Sequence, residues 1–428
     1  MRLSIVLSHF VVLAIAFASI PLPTAAQTAT IPDGGAGPRF RADGLDADMY
    51  GRKEGYPSCT GLTYLRDQRC RVGAFSNFDK LYPSRVIAAP RAPGHLRRAE
   101  IEPSIRYSYN GQSRTLEQYL DTYPVTGLLI AKGDSILVER YQYGRTDKDR
   151  LTSFSMAKSI VGLLIGIAVN EGAIRSIDDL AEVYVAGLKG TEYGRTPIKA
   201  LLQMASGVSF RESYSDTTSD IYTLANLTLG QDPGGSIAAV KRFNARYAQP
   251  GTRYSYSSAD TVVLGLVLAG ATQRTVSQYA SEKLWVPLGA EADATWVVDA
   301  TGQEIAFNYV NAVLRDWARL GLMLAHDGMW QSKSIVPRDW MLASTSIEPG
   351  SPMWSPSIKP GAHSPGYGYQ FWLLPSVHRT FALRGIRGQF VLVDPTAKLV
   401  LVQTALAGDD GTAQELYALW AALSSQLQ

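Results

Sequence analysis

The order of patterns along the chain predicts an α/β fold of the α+β type. An antiparallel sheet is assembled from both chain ends and flanked by helices, with a mostly helical region inserted between. Three observations predict it. Two strand-like runs, Val125 to Ala131 and Ser135 to Tyr143, flank Lys132-Gly133-Asp134, which is a hairpin signal. Apolar runs of helical spacing fill the middle of the chain. A second hairpin, Phe390 to Pro395 and Lys398 to Thr404, turns at Asp394-Pro395-Thr396-Ala397. Strands early and late with helices between fit one sheet closed by both ends.

The elements follow in order. Residues 1–26 read as a secretory signal peptide: Arg2 gives a positive start, Ile5 to Ile20 is mostly apolar, and Thr24-Ala25-Ala26 offers small residues for cleavage. An uncleaved membrane anchor is the alternative, but the run is short for a span and contains Ser8 and His9. Ile160 to Val169 is also too short to cross a bilayer and suits a buried helix, so no membrane span is expected once the signal is removed. Residues 27–100 read as an irregular N-terminal arm. Its first half is rich in Gly, Pro, Ala and Asp and is expected to be poorly ordered. Its second half holds Cys59 and Cys70. An even, closely spaced pair in an exported chain suggests a disulfide, contributing about 2–3 kcal/mol by loop closure, with two free thiols as the alternative.

From 101 to 428 the pattern is that of a globular domain. Ile198 to Ala205 reads as an apolar helix ended by Ser206-Gly207, and 210–247, polar and aromatic without a clear period, as loop and short helices. Thr261 to Ala271 is apolar and helical. Ala312 to Asp327 is amphipathic, with Val313, Leu314, Trp317, Leu320, Gly321 and Leu324 on one side. Gly366 to Leu374 alternates like a strand, and Ala413 to Leu427 closes the chain as a helix.

Bulk properties exclude some classes. The chain has 428 residues, 46% hydrophobic and 18% charged, with a formal net charge of +3. That charge is too small to imply nucleic acid or an acidic membrane surface. Arg91, Arg97 and Arg98 make a local basic spot that reads as a solvated linker. The five histidines are scattered, and none pairs at ligand spacing with another His or Cys, so no metal or other cofactor is expected.

The chemistry begins at Ser155-Met156-Ala157-Lys158. A serine and a lysine three positions apart share one face of a helix. A lysine in an apolar setting loses its proton more readily and can then take one from the serine hydroxyl. A second candidate is Pro250-Gly251-Thr252-Arg253-Tyr254-Ser255-Tyr256-Ser257-Ser258. A phenol there could carry a proton between nucleophile and leaving group, or could simply pack. A third is Arg384-Gly385-Ile386-Arg387-Gly388-Gln389. Gly385 and Gly388 would let a substrate approach the backbone, and an amide there could bind a developing oxyanion; a glycine-bearing bulge is the plainer alternative.

These three segments, in this order, resemble the serine β-lactamase and penicillin-binding-protein superfamily over roughly residues 100–425. Within it they are most similar to the class C-like esterases and 6-aminohexanoate-dimer (nylon oligomer) hydrolases. Ser155-Met156-Ala157-Lys158-Ser159 matches the nucleophile motif, Tyr256-Ser257-Ser258 the Tyr-x-Asn/Ser motif, and the Arg384–Gln389 run the third strand motif. Leu201 to Val208 looks like the family's Leu-Leu-x-x-x-Ser-Gly segment. The resemblance implies a β-lactamase/transpeptidase-like fold and a catalytic serine. Ser155 would form an acyl-enzyme, Lys158 would be its base, and Tyr256 would relay the proton to the leaving group. The amides of Ser155 and Ile386 would form the oxyanion hole. Tyr214, with Tyr222 as a rival, would help bind the substrate, alongside Ser258, Gly385 and Gly388.

One departure narrows the substrate. The third motif usually begins with Lys or His, and this chain has Leu383 there. The missing cation points away from β-lactams and cell-wall peptides and toward small esters or linear amides. The signal peptide implies a location outside the cytoplasm, periplasmic or secreted. Arg384 or Arg387 could still supply a cation, or both could be solvated. Trp354, Tyr367, Tyr369 and Trp372 could line an acyl pocket or be core. A β-lactamase or D-Ala-D-Ala peptidase is the alternative enzyme, and a penicillin-recognising protein without turnover the alternative from another class. A Ser-His-Asp hydrolase is disfavoured, since no G-x-S-x-G elbow is present.

Overall fold

Both expected hairpins form, and they meet in one sheet. The computed structural model describes residues 37–230, 232–346, 366–376, 378–407 and 410–427. The expected signal peptide and Trp354 lie outside them. The sheet strands are β1 (Arg39–Phe40), β2 (Arg97–Arg98), β3 (Val125–Lys132), β4 (Ser135–Tyr141), β5 (Gly366–Tyr367), β6 (Trp372–Leu373), β7 (Phe381–Gly385), β8 (Gln389–Asp394) and β9 (Leu399–Ala405). Their order is β1-β4-β3-β9-β8-β7-β6-β5, with β2 also on β4. The early hairpin joins the late one through antiparallel β3 and β9, where Leu401 faces Ile130 and Val402 faces Leu129.

Alternation explains why these strands read as near-continuous apolar runs. Leu129, Ala131, Val391, Val393, Val400 and Val402 turn to one core. Leu128, Ile130, Leu392, Leu399 and Leu401 turn to the other. Successive side chains of a strand point to opposite faces, so a sheet covered on both sides needs apolar residues throughout. Helix α1 (Ala157–Asn170) and helix α2 (Ser258–Thr272) pack together on the first side, and α3 (Leu314–Ala325) lies against the sheet there. Helix α4 (Asp410–Gln426) covers the second, burying Leu416, Leu419, Trp420 and Leu423.

The N-terminal segment differs from its expected looseness. Ala47 and Tyr50 are buried, and Tyr64, Phe75 and Phe78 sit inside the main core. Strands β1 and β2 both add parallel to β4, so the sheet is mixed at that edge. Gly and Pro here mark turns between buried aromatics, and composition alone does not separate that from disorder. Gly35–Gln428 form one compact unit. Cys59 and Cys70 are joined as a disulfide. Two of the three expected solvated arginines are paired: Arg97 with Asp134, and Arg98 with the fully buried Glu139.

Gly366 to Leu374 is also not one strand. It is split into β5 and β6, paired antiparallel, with Gln370 at φ +67° between them. Buried Gln370 explains the break. Its amide nitrogen donates to the carbonyls of Leu201 (3.1 Å) and Leu202 (3.0 Å). Its side-chain oxygen accepts from Thr261 on α2 (2.8 Å), and its carbonyl from Ser159 on α1 (2.6 Å). Four saturated bonds in a buried position outweigh the strain of one left-handed residue, which is about 1–3 kcal/mol.

Candidate active site

Ser155 lies in the tight turn Phe154–Met156 that leads into α1. The first N–H groups of a helix have no partner within it, so the Ser155 amide stands where an anion is favoured. Phe154 is held at φ +42°, an unusual conformation for a non-glycine residue. Rings of Phe75 (4.9 Å), Phe78 (6.0 Å) and Tyr309 (6.0 Å) brace it. Strain of this kind persists only where the surroundings over-determine it.

Lys158 is one helical turn on and is 1% exposed. Its Nζ donates to Ser155 Oγ at 2.8 Å and to the Phe307 carbonyl at 3.0 Å. Among the described residues no carboxylate forms an ion pair with it. Burial therefore pulls its pKa down to about 8, against the opposing charge of Glu212. In its neutral form the roles reverse, and Oγ–H donates to Nζ. While Lys158 is charged and donates to Oγ, the single Oγ proton instead points to Asn308 Oδ1 across a long 3.5 Å.

Tyr256 closes the other side. Lys158 Nζ is 5.2 Å from its ring centre, and the ring packs on Trp372 (5.2 Å) and Tyr367 (5.9 Å). Burial, then the charge of Glu212, push its pKa well above the ordinary value, with a hydrogen bond to Ser155 working the other way. Tyr256 is thus a neutral phenol with a proton to give. Three of the four expected pocket aromatics are described. Tyr367 and Trp372 hold Tyr256, whereas Tyr369 packs on Trp340 at 5.3 Å.

Ser258 is placed differently from expectation. It is fully buried, and its N–H (2.6 Å) and Oγ (2.9 Å) both donate to Glu212. It fixes the start of α2 rather than a substrate. Glu212 also accepts from the Tyr214 hydroxyl at 2.5 Å. Tyr214 is 44% exposed, yet it lines a narrow cleft with Tyr222, whose hydroxyl donates to the Tyr214 carbonyl. Both rival tyrosines therefore reach the cleft. Ile386 lines it too, and Tyr256 does not.

The glycines of the third segment serve the protein's own backbone. A Cβ on Gly385 would meet the Ser153 carbonyl at 2.4 Å, so only glycine lets β7 lie against the nucleophile turn. Gly388 sits at φ +84° in the following turn. Leu383 is fully buried on β7. Arg384 lays its guanidinium over Trp372 (4.9 Å) and Phe390 (5.5 Å), and its charge is felt at Tyr256. Arg387 donates to the Leu65 carbonyl at 3.3 Å.

Behind Tyr256, the first turn of α2 carries Asp260, fully buried and accepting from Ser206 Oγ at 2.9 Å. Burial raises its pKa to about 7. A carboxyl whose folded pKa lies above the unfolded value binds its proton more tightly when folded. Stability from this group is therefore present at low pH and lost as pH rises from about 4 through 7. Asp316, raised to about 6 by burial, acts in the same direction. Denaturant midpoints at pH 5 and pH 8 should show a smaller decline in Asp260→Asn than in the unchanged protein; an equal decline would remove this account.

Asn308, Phe307, Glu212 and the cleft tyrosines Tyr64 and Tyr309 had no signal in the sequence. Asn308 and Phe307 reach the site from a loop about 150 residues downstream of Ser155, in a run with no motif. The acid in Glu212 carries no pattern until Ser258 and Tyr214 are seen to share it.

Comparison with known proteins adds a family. A family model described as Beta-lactamase matches residues 113–421. A 6-aminohexanoate-dimer hydrolase of Paenarthrobacter ureafaciens is 26% identical over 346 residues, covering 79% of this chain and 86% of that protein. An Escherichia coli O157:H7 protein provisionally named a D-alanyl-D-alanine carboxypeptidase is 26% identical over 204 residues, covering 42% of this chain and 45% of its own. A solved structure from Bacillus anthracis, provisionally named a 6-aminohexanoate-dimer hydrolase, superposes with a TM-score of 0.76 at 22% identity, covering 86% of this chain and 96% of that one. The last likeness is one of fold.

Proposed function

The chain belongs to the beta-lactamase family, and from that premise we propose that it is an exported serine hydrolase cleaving an ester or linear amide through an acyl-enzyme on Ser155. The observation that carries the reading is the 2.8 Å contact between Lys158 Nζ and Ser155 Oγ in a buried setting that lowers the lysine pKa to about 8. Neutral Lys158 takes the Oγ proton as Oγ attacks the carbonyl carbon. The tetrahedral oxyanion is received by the amides of Ser155 and Ile386. Tyr256 gives its proton to the departing alcohol or amine and regains one from Lys158. Water then attacks the acyl-enzyme and the same groups return the proton to Oγ.

The similarity to a named 6-aminohexanoate-dimer hydrolase supports a linear amide as one substrate class. The Cys59–Cys70 disulfide supports an oxidising compartment, and no helix among the described residues is long and apolar enough to cross a membrane. Residues 1–26 are read as a signal removed on export, 27–100 as a segment preceding the family-matched chain, and 101–428 as the hydrolase domain.

The carboxypeptidase-like relative supports a second reading, a β-lactam or D-Ala-D-Ala site. Buried Leu383 weighs against it, because it stands where the third motif usually has a cation and offers none to a substrate carboxylate. Nitrocefin and a panel of p-nitrophenyl esters beside 6-aminohexanoate dimer decide between them. Ester or dimer turnover with negligible nitrocefin hydrolysis is the expected outcome. Fast nitrocefin turnover that depends on Ser155 would overturn the substrate assignment.

A further inference from the structure

A short stretch well ahead of the family-matched residues forms part of the wall beside the nucleophile. The Cys59–Cys70 bridge closes a loop around the turn Gly61–Leu65. Tyr64 is 2% exposed; its carbonyl accepts from Arg71 Nε at 3.1 Å, and its hydroxyl pairs with that of Tyr309 at 3.0 Å. Leu65 is half-buried, and its carbonyl accepts from Arg387, the neighbour of Ile386. The loop is thus tied to both sides of the site.

Tyr64 and Leu65 line the cleft with Phe154, Ile221, Phe307 and Ile386. No residue lining it carries a charged side chain. A charged substrate group there would lose its hydration without gaining an opposite charge, whereas an apolar group would be favoured by Leu65, Phe154, Ile221, Phe307 and Ile386. Neither Ser155 nor Tyr256, the residue assigned to the leaving group, lines the cleft; Phe154 beside Ser155, Asn308, which Ser155 contacts, and Ile386, assigned to the oxyanion hole, do. Its occupant is therefore the acyl side of the substrate.

We infer that the Cys59–Cys70 loop, through Leu65 and Tyr64, sets which acyl group fits beside Ser155, and that this group is an apolar chain where it adjoins its carbonyl. The inference rests on the acyl-enzyme reading proposed above and adds the substrate class. Leu65 is the size-setting residue, because Tyr64 is already committed to Tyr309 and Arg71. The bridge holds the wall in register.

The test compares kcat/KM for p-nitrophenyl acetate and p-nitrophenyl octanoate in the full, oxidised chain, with Ser155→Ala as the baseline. Leu65→Ala is expected to raise the octanoate-to-acetate ratio about tenfold, and Leu65→Phe to lower it by a similar factor, the scale of a few methylenes in an apolar pocket. Cys59→Ser with Cys70→Ser is expected to move the ratio as Leu65→Ala does. If both Leu65 variants hydrolyse in a Ser155-dependent way at the unchanged ratio, the wall is not where the acyl group sits and the proposal is overturned, while the Ser155 reading stands. Shifted Leu65 variants beside an unchanged double-cysteine variant would overturn the role given to the bridge. If the unchanged protein shows no Ser155-dependent hydrolysis of either ester and no acylation of Ser155, the proposal falls with the reading beneath it.

Discussion

Replacing Lys158 by methionine is expected to lower kcat/KM by ~10³-fold while leaving the fold intact, the scale of a lost general base. Methionine fills a similar volume, and removing an amine from a fully buried site leaves no stranded charge behind. The pH profile makes the test specific. With the lysine pKa at about 8, Nζ is protonated and unable to accept below that value and free above it. Activity should therefore rise with pH, levelling off above about 8, and the residual activity of Lys158→Met should lack that inflection. Lys158→Arg should be as inactive, since a guanidinium keeps its proton throughout this range. Wild-type rates in either variant would remove Lys158 from the mechanism.

Tyr256→Phe is expected to lower turnover by ~10²–10⁴-fold, and unequally across substrates. An amine must be protonated to leave, whereas p-nitrophenolate departs without a proton. The loss should therefore be large for 6-aminohexanoate dimer or another linear amide and smaller for p-nitrophenyl esters. Phenylalanine keeps the packing on Trp372 and Tyr367, so thermal stability should change little. Equal losses on amides and activated esters would argue that Tyr256 positions the substrate and does not carry the proton.

The parts legible in the sequence were those written locally. Ser155 and Lys158 share one turn of one helix, so their spacing alone predicts their contact, and the fold brings them to 2.8 Å. The two hairpins were legible because turn residues sit between apolar runs. What depends on long-range contacts was not. Asn308 meets Ser155, and Glu212 meets Ser258, only through the tertiary fold. The N-terminal segment looked loose because glycine and proline punctuate it without a clear period, while its scattered aromatics brace Phe154 from far along the chain. Gly366 to Leu374 looked like one strand because alternation says nothing of Gln370, whose partners lie on three helices elsewhere.

The two arginines of the third segment teach the same lesson. In the sequence they are cations near an expected binding motif. In the fold Arg384 lies over Trp372 and Phe390 and Arg387 reaches Leu65, contacts that their places in the chain do not foretell.

The central claim is that Ser155 becomes covalently acylated. Intact-mass measurement after treatment with a fluorophosphonate, run on the wild type and on Ser155→Ala, tests it most directly. One adduct on the wild type, mapped to Ser155 and absent from Ser155→Ala, is the expected result. Equal labelling of both proteins, or of neither, would contradict it.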